Sequence, residues 1–397
     1  MRIALIADAY PPLRTSGAVQ VRDLAQELAS QGNDVTVIVP APGAAVPWRL
    51  ERVGGVQVLA LASPATKDVS YVRRTVAEAL MPLCILRGIR RSPLRSASWE
   101  AVIWYSPSIF LGLLVGALKR SRACRSYLIL RDIFPEWAVD MGLMRRGLAY
   151  WFFKLVERYQ YSVADVIGVQ SPSNLAYLAA WATRPGRQLE VLNNWLAPAA
   201  DIGCSIRVSA TSLAGRRILI YAGNMGVAQG MDILLEVATA LRDRADIGFL
   251  VVGRGSDVPR LRALAAARAL QNVMFFEEIE PAEIPGLLRQ CHVGLVALDP
   301  RHRTHNVPGK FLAYMQAGLP VLARVNAGND LIGMIDIEQV GLAYVGDSAA
   351  ELAGLATTLC ADEPRRRAMS AQALRLAASA FSVTSIARQI TTVMATS

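Results

Sequence analysis

Residues 217–242 read RILIYAGNMGVAQGMDILLEVATALR. The apolar run at 218–222 has the length and composition of a buried strand, and the apolar residues of 233–241 recur at helical spacing. Between them lies a loop of small residues. A strand that feeds a glycine loop at the start of a helix presents free backbone N–H groups, and phosphate is the natural ligand for them. A plain strand-to-helix turn is the alternative for this loop taken alone.

The same alternation of strand and helix runs through both halves of the chain. The predicted strands lie at 2–7, 34–39, 56–60, 101–105, 127–130, 166–170, 189–192, 218–222, 247–252, 273–276, 293–298, 320–323 and 342–345. Segment 198–215 interrupts the pattern with weak periodicity and many small residues. We therefore predict an α/β fold with two Rossmann-like doubly wound domains that face a cleft. The N-terminal domain would span 1–197 and the C-terminal domain 198–380, with a helix at about 381–397 that packs back on the first.

Length and composition narrow the class of protein. A chain of 397 residues is too long for one ordinary core, and its mean hydropathy is +0.31. The longest apolar stretch, 101–118, is broken by Ser106-Pro107-Ser108, so it does not suit a bilayer-spanning helix. The N-terminus has only a short apolar run before Asp8, which suits a first strand better than a signal peptide. Five scattered cysteines without a CxxC pair argue against a disulfide or zinc framework and favour the cytoplasm.

The net charge of +10 is concentrated in the first half, where arginines stand beside the apolar segments 79–86 and 148–153. Ordinary solvated arginines are one interpretation, and a face that binds anionic headgroups is another. Nucleic-acid binding is a third, but the chain carries no nucleic-acid-binding motif. We predict a cytoplasmic protein held peripherally on the inner face of the cell membrane, with no nucleic-acid partner.

Five short motifs occur in a fixed order along the chain. They are YPP at 10–12 followed by Ser16-Gly17, RDIFPE at 131–136, YAGNMGVAQ at 221–229, VGRG at 252–255, and VPGK at 307–310 leading into YMQAG at 314–318. Together they resemble the family-4 glycosyltransferases of the GT-B fold. The chain is most similar to the subgroup that transfers N-acetylated amino sugars of the fucosamine or quinovosamine type in bacterial surface-polysaccharide synthesis.

This resemblance implies a retaining glycosyltransferase that moves an N-acetyl-hexosamine, with or without a 6-deoxy group, from a UDP-sugar. The acceptor would be lipid-linked or a saccharide and would bind the N-terminal domain, while the donor binds the C-terminal domain. No metal and no cofactor are expected, because helix dipoles and cationic side chains neutralise the diphosphate in this fold. A non-catalytic nucleotide-sugar-binding protein of a membrane assembly and a UDP-sugar 2-epimerase remain alternatives.

The resemblance also implies a donor site, from which this sequence departs. The Arg and Lys that grip the diphosphate in the family are Asn224 and Gln229 here, so we expect Lys310, with Arg254 second, to supply the positive charge. The family's paired glutamates fall on His305 and Ala313, which leaves the ribose to Tyr314, to a backbone group or to looser binding. The predicted donor-binding residues are Gly223, Asn224, Gly226, Gln229, Gly253, Arg254, Glu278, Ile279, His305, Asn306, Pro308, Lys310 and Tyr314.

Carboxylates near the reacting centre are expected in the loop that leaves the strand at 127–130. We predict Asp132 and Glu136 as catalytic carboxylates, together with Lys310, although helix capping by Asp132 and a surface position for Glu136 are the alternatives. Ser16, Gly17 and Arg131 are the predicted acceptor-binding residues. His302 and His305 stand three apart in a loop that also holds Arg301 and Arg303, so a metal is not expected there.

Overall fold

The computed structural model describes residues 1–13, 15–67, 69–122, 124–226, 229–299 and 307–395. They form two compact units. The first comprises Met1–Trp195 together with Val383–Ser397, and the second comprises Leu196–Ser382. Each unit is a mostly parallel sheet covered by helices, so the predicted α/β fold with two Rossmann-like halves is confirmed. No helix in the described part of the chain is long and apolar enough to cross a bilayer.

The first unit contains an eight-stranded sheet in the order β3-β4-β2-β1-β5-β6-β7-β8. Its elements are β1 (Arg2–Ile6), α1 (Ser16–Ser30), β2 (Asp34–Pro42), β3 (Trp48–Val53), β4 (Val56–Ser63), α2 (Tyr71–Arg91), β5 (Ala101–Tyr105), α3 (Leu111–Arg122), β6 (Arg125–Leu130), α4 (Glu136–Asp140), α5 (Leu148–Val163), β7 (Val166–Val169), α6 (Ser173–Ala182), β8 (Gln188–Val191) and the C-terminal α14 (Val383–Ala395). All neighbours pair in parallel except β3 and β4, which form a hairpin. β3, an edge strand of sequence WRLERV with mostly exposed side chains, was not among the predicted strands.

The second unit contains a six-stranded parallel sheet in the order β11-β10-β9-β12-β13-β14. Its elements are β9 (Arg217–Ala222), α7 (Asp232–Ala240), β10 (Ile247–Val252), α8 (Val258–Ala267), β11 (Val273–Phe276), α9 (Ile284–Leu288), β12 (Val293–Ala297), α10 (Gly309–Gln316), β13 (Val321–Arg324), α11 (Asp330–Glu338), β14 (Gly341–Tyr344), α12 (Ala349–Ala361) and α13 (Glu363–Ala380). The central strands are fully buried because helices cover both faces, which explains their continuous apolar runs.

Both sheets reverse the direction in which the chain adds strands. The reversal lies between β1 and β5 in the first unit and between β9 and β12 in the second. In open parallel sheets, ligands bind outside the carboxyl ends of the strands at such a reversal point. The loops that leave these four strands are therefore where the functional residues of each unit are to be sought.

Candidate active site

Two glycine loops pack backbone to backbone at the reversal point of the second unit. The Gly223 N–H donates to Val252 O at 2.9 Å, and the Met225 N–H donates to Arg254 O at 2.8 Å. Gly253 has a φ of 141°, and a Cβ placed there would lie 2.1 Å from Gly223 O. Only glycine permits this approach, which gives the GRG sequence after β10 a structural reason.

The same loop contradicts one expectation from the sequence. Gly223 and Met225 donate their N–H groups to β10 and its loop, and the Gly226 N–H donates to Gln229 Oε1 at 2.9 Å. The Asn224 side-chain amide donates to the same Gln229 oxygen at 3.3 Å. These three loop N–H groups are therefore already paired, and the free N–H cradle predicted from the glycine pattern is not present at them.

Lys310 lies beside this loop on the first turn of α10. Its ammonium is 4.8 Å from the centre of the Tyr221 ring, and its Cε lies 3.4 Å from the position of a Cβ built on Gly223. Burial lowers the pKa of Lys310 to about 8. In the described part of the chain no carboxylate or hydrogen-bond acceptor pairs with this ammonium. A half-buried cation without a counterion, at a helix N-terminus, is a binding group for an anion.

Arg254, the predicted second cation, is partly neutralised. Its Nε lies 3.3 Å from Glu278 Oε2, and both side chains are exposed. The structure thus brings two predicted donor residues together as an ion pair at the ends of β10 and β11. Ile279 is half-buried and packs against the core, and Pro308 precedes α10 without a side-chain hydrogen bond to cap it.

The surroundings of Tyr314 bear on its predicted contact with the ribose. Its side chain is 0% exposed, its hydroxyl accepts from the Ala222 N–H at 3.0 Å, and it lies 3.1 Å from Ile220 O. The ring packs on Gly294, where an added Cβ would come within 2.4 Å of it. Tyr314 therefore connects β9 and β12 inside the core, and its buried, engaged hydroxyl argues against the predicted contact with the ribose.

His305 and Asn306, with the basic residues of 301–303, lie outside the described residues, so those predictions stay as they were. Within the described ranges, no three His, Cys, Asp or Glu side chains come together as a metal site.

In the first unit, the structure gathers the predicted acceptor residues around Tyr105. A Cβ built on Gly17 would lie 3.4 Å from the Tyr105 ring, and the guanidinium of Arg131 lies 5.7 Å from the ring centre. The Tyr105 hydroxyl donates to Gln20 Oε1 at 2.7 Å. Ser16 opens α1 and is exposed, while the preceding Thr15 caps the helix by accepting from the Ala18 N–H at 3.3 Å.

Glu136 does not have the properties predicted for a catalytic carboxylate. Its Oε1 accepts from Lys154 Nζ at 2.8 Å and from the Tyr150 hydroxyl at 2.9 Å. Burial favours a higher pKa for Glu136, but the hydrogen bonds from Lys154 and Tyr150 outweigh it and hold the pKa below its usual value. A carboxylate so engaged is a weak base, so its role is to join α4 to α5.

Asp132 is half-buried at the carboxyl end of β6 and keeps its predicted role as a hypothesis. Asp8, two residues after the end of β1, was not among the predicted site residues. Burial raises the pKa of Asp8, with Lys67 opposing and Glu78 adding to the rise. Burial also raises the pKa of Tyr105 to about 12; among the nearby charges, Arg131 opposes the rise, while Asp132 and Asp8 add to it. These four groups therefore share one electrostatic environment.

Comparison with known proteins agrees with this architecture. Residues 16–195 match the family model "Glycosyl transferase 4-like domain", and residues 216–362 match "Glycosyl transferases group 1". The chain is 25% identical over 247 residues to the probable glycosyltransferase WbjE of Pseudomonas aeruginosa, an alignment that covers 59% of each chain. It is 24% identical over 330 residues to the putative colanic acid biosynthesis glycosyl transferase WcaI of Escherichia coli K12, covering 74% of this chain and 76% of the relative.

Among solved structures, Anabaena HepE in complex with UDP matches the fold with a TM-score of 0.71, 14% identity and 100% coverage of both chains. The two domain models cover most of the chain, in the order of its two structural units. The chain thus belongs to the glycosyltransferases that join a glycosyltransferase 4-like domain to a group 1 domain, and it is an enzyme of that class.

Proposed function

We propose that the enzyme is a retaining glycosyltransferase that moves an N-acetyl-hexosamine, with or without a 6-deoxy group, from a UDP-sugar to a lipid-linked acceptor in bacterial surface-polysaccharide synthesis. The observation that carries the donor class is Lys310, a half-buried cation at the reversal point of the second sheet that has no counterion among the described residues. The UDP in the HepE structure and the name of WcaI, a colanic acid enzyme, support the donor and the pathway class. The amino-sugar specificity rests on the motif resemblance alone.

In this reaction Lys310 would stabilise the negative charge of the leaving group. When the bond between the sugar C1 and the diphosphate oxygen breaks, negative charge grows on the leaving UDP. An ammonium and a helix N-terminus fixed beside that oxygen stabilise the charge in a site with little water. The acceptor oxygen bonds to C1 on the same face, and its proton passes to the departing phosphate. No step in this scheme needs Glu136, in keeping with its engagement by Lys154.

A panel of nucleotides and nucleotide-sugars, measured by calorimetry and thermal shift, tests the donor assignment because a ligand that binds the native state raises its stability. We expect UDP and UDP-N-acetyl-hexosamines to bind, and ADP and GDP sugars to bind at least tenfold more weakly. Transfer should require added membrane lipid acceptor. Equal binding of all bases, or of none, would contradict the proposal.

Peripheral membrane attachment is the second part of the proposal, and α5 supports it. Leu148, Trp151, Phe152 and Leu155 form the α5 stripe, four apolar residues at helical spacing; Leu148 is 92% exposed and Leu155 69% exposed. The opposite, buried face of this helix carries Tyr150, Glu157, Gln160 and Tyr161. A helix that buries polar groups and exposes apolar ones has the reverse of the usual pattern for a surface helix.

A second helix of the first unit also exposes apolar residues. α3 packs against both α2 and α5, and α2 exposes Val72, Val76, Leu80 and Leu83 along one line. Exposed arginines border both helices: Arg73, Arg74, Arg87, Arg145, Arg146 and Arg158. Apolar side chains edged by arginines are complementary to the interface of a bilayer that contains anionic lipids, where a lipid-linked acceptor would reside.

A further inference from the structure

A buried arginine with an unused hydrogen-bonding edge lies at the carboxyl end of β6. Arg131 is 6% exposed, and its Nη1 donates to Leu192 O at 3.1 Å. Its guanidinium stacks on the Trp195 ring at 4.6 Å from the ring centre. Its Nε and Nη2 are buried and make no hydrogen bond of good geometry with the described residues, although the Tyr105 hydroxyl lies close enough to favour the charged guanidinium. Leaving such donors unpaired inside a protein costs free energy, so the site is incomplete as it stands.

The two unpaired nitrogens are the pair that matters for recognition. The N–H bonds of Nε and Nη2 lie on one edge of the guanidinium and point in parallel, which is the arrangement that binds both oxygens of a carboxylate or a phosphate. The remaining nitrogen, Nη1, is held by Leu192 O, and the plane is fixed by Trp195. One hydrogen bond and one aromatic ring thus fix the orientation of the guanidinium, while its Nε–Nη2 edge is left for a ligand.

A second buried polar side chain with an unused atom lies at the same edge of the sheet. Leu130 of β6 pairs with Val169 of β7, so Arg131 and Gln170 follow paired residues at the same sheet edge. Gln170 is also buried, and its Oε1 has no partner. A ligand that carries an oxyanion and a hydroxyl group would satisfy both side chains. Burial lowers the pKa of Arg131, with Tyr105, Tyr127 and Asp132 opposing, so a bound anion would further favour its charged form.

We infer that Arg131 binds an oxyanion of the acceptor, a phosphate or a carboxylate, through its Nε–Nη2 edge. The inference rests on the proposed function, because it treats the first unit as the acceptor-binding one. It narrows the acceptor to an anionic molecule and makes Arg131 a specificity-determining residue. A phosphate would come from a lipid-linked acceptor, and a carboxylate would come from an acidic sugar.

The direct test follows the Nε–H resonance of Arg131 by NMR of arginine-labelled enzyme, assigned by its disappearance in Arg131→Lys. The probes are methyl phosphate, acetate and glycerol, added to the Lys310→Ala variant so that the donor site does not contribute. We expect a saturable shift with methyl phosphate or acetate and none with glycerol, and at least tenfold weaker binding in Arg131→Gln. The preferred anion identifies its source.

Arg187→Lys is the matched control. Like Arg131, Arg187 stacks on a tryptophan (Trp181, 5.4 Å from the ring centre) and donates to a carbonyl, Ser162 O. It lies before β8, however, at the amino ends of the strands. Thermal unfolding shows whether each variant is folded. A resonance that no anion moves, or equal anion binding in Arg131→Gln and wild type, would overturn the inference.

A kinetic arm separates this inference from the proposed function. We expect Arg131→Gln to raise KM for a phosphate-bearing acceptor at least tenfold while UDP binding stays unchanged. If the enzyme transfers no sugar from any UDP donor but methyl phosphate still shifts the Arg131 resonance, the proposed function fails and the anion site stands. If the enzyme transfers sugar but no anion shifts the Arg131 resonance, the proposed function stands and the anion site is ruled out.

Discussion

The ammonium of Lys310 lies 4.8 Å from the centre of the Tyr221 ring, at the point where the second sheet reverses its strand order. The ring face offers a weak electrostatic partner to the cation but does not neutralise it. This contact shows how a lysine without a carboxylate partner among the described residues is held beside the loop that follows β9. A cation kept in this way is ready for an anion, and several measurable consequences depend on it.

The affinity for UDP should fall as the pH rises through the pKa of Lys310. Burial lowers that pKa from 10.5 to about 8, so the folded, free enzyme loses the charge between pH 7 and 9. If only the charged form binds, the dissociation constant for UDP should rise about tenfold from pH 7 to pH 9. Calorimetry across this range checks it, and Lys310→Arg, which stays charged, should flatten the profile. A flat wild-type profile would contradict the assignment.

The lowered pKa of Lys310 also predicts how the free energy of unfolding changes with pH. Between about pH 8 and pH 10.5 the unfolded chain binds the Lys310 proton and the folded chain does not, so this group makes the free energy of unfolding rise with pH there. Bound UDP should oppose the trend by raising the folded-state pKa. Denaturant unfolding of wild type and Lys310→Met over this pH range isolates the contribution, which should be missing in the variant.

Gly253→Ala should destabilise the second unit by about 2 kcal/mol or more, because the added methyl meets Gly223 O at a backbone conformation that alanine avoids. Gly333→Ala is the control: Gly333 lies in α11, and its Cβ would meet nothing within 4 Å. That change should be neutral or slightly stabilising. Thermal unfolding of both variants gives the comparison, and equal effects would contradict the packing described for the two loops.

Tyr314→Phe should lower stability without changing donor affinity. The hydroxyl serves Ala222 N–H and lies within reach of Ile220 O, so its removal leaves buried backbone groups unpaired at a cost of about 1–3 kcal/mol. We expect the KM for the UDP-sugar to stay within twofold of wild type under conditions where the variant is folded. A large rise in KM at unchanged stability would restore the ribose role that the burial argues against.

Charge placed in the α5 stripe should release the enzyme from membranes. Leu148→Glu with Leu155→Glu puts two carboxylates into the exposed apolar surface that we propose binds the bilayer, and we expect pelleting with anionic vesicles to fall at least tenfold. Ile337→Glu is the control, because Ile337 is equally exposed but lies in the second unit on α11. Vesicles without anionic lipid should bind less wild-type protein. If the double variant pelleted as well as wild type, membrane binding through the α5 stripe would be contradicted.

Sequence patterns predicted the strands and the two-unit plan because buried parallel strands are continuous apolar runs between glycine turns. They could not predict which polar residues are buried. Tyr314 lies in α10 among Phe311, Leu312 and Met315, all buried, and the helical spacing of these residues was the one available signal for its burial.

Partners outside the local sequence determine the surroundings of the other site residues. Glu136 is engaged by Lys154 from the next helix, and the edge of Arg131 is defined by Leu192 and Trp195, about sixty residues further on. Similarly, the loop N–H groups of 223–226 are taken by the loop after β10 and by Gln229. Local sequence identifies a loop as a candidate binding element, but only the packed structure shows which of its donors are left for a ligand.

The most direct test of the account is the calorimetric affinity for UDP in wild type, Lys310→Ala and Arg244→Ala, the last removing an exposed cation of the same unit before β10 that pairs with Asp246. Losing a charged hydrogen-bonding partner of the diphosphate should weaken binding about a hundredfold, or about 3 kcal/mol, in Lys310→Ala. Arg244→Ala should bind like wild type. If Lys310→Ala is folded and binds UDP as tightly as wild type, the diphosphate is held elsewhere and the central claim is wrong.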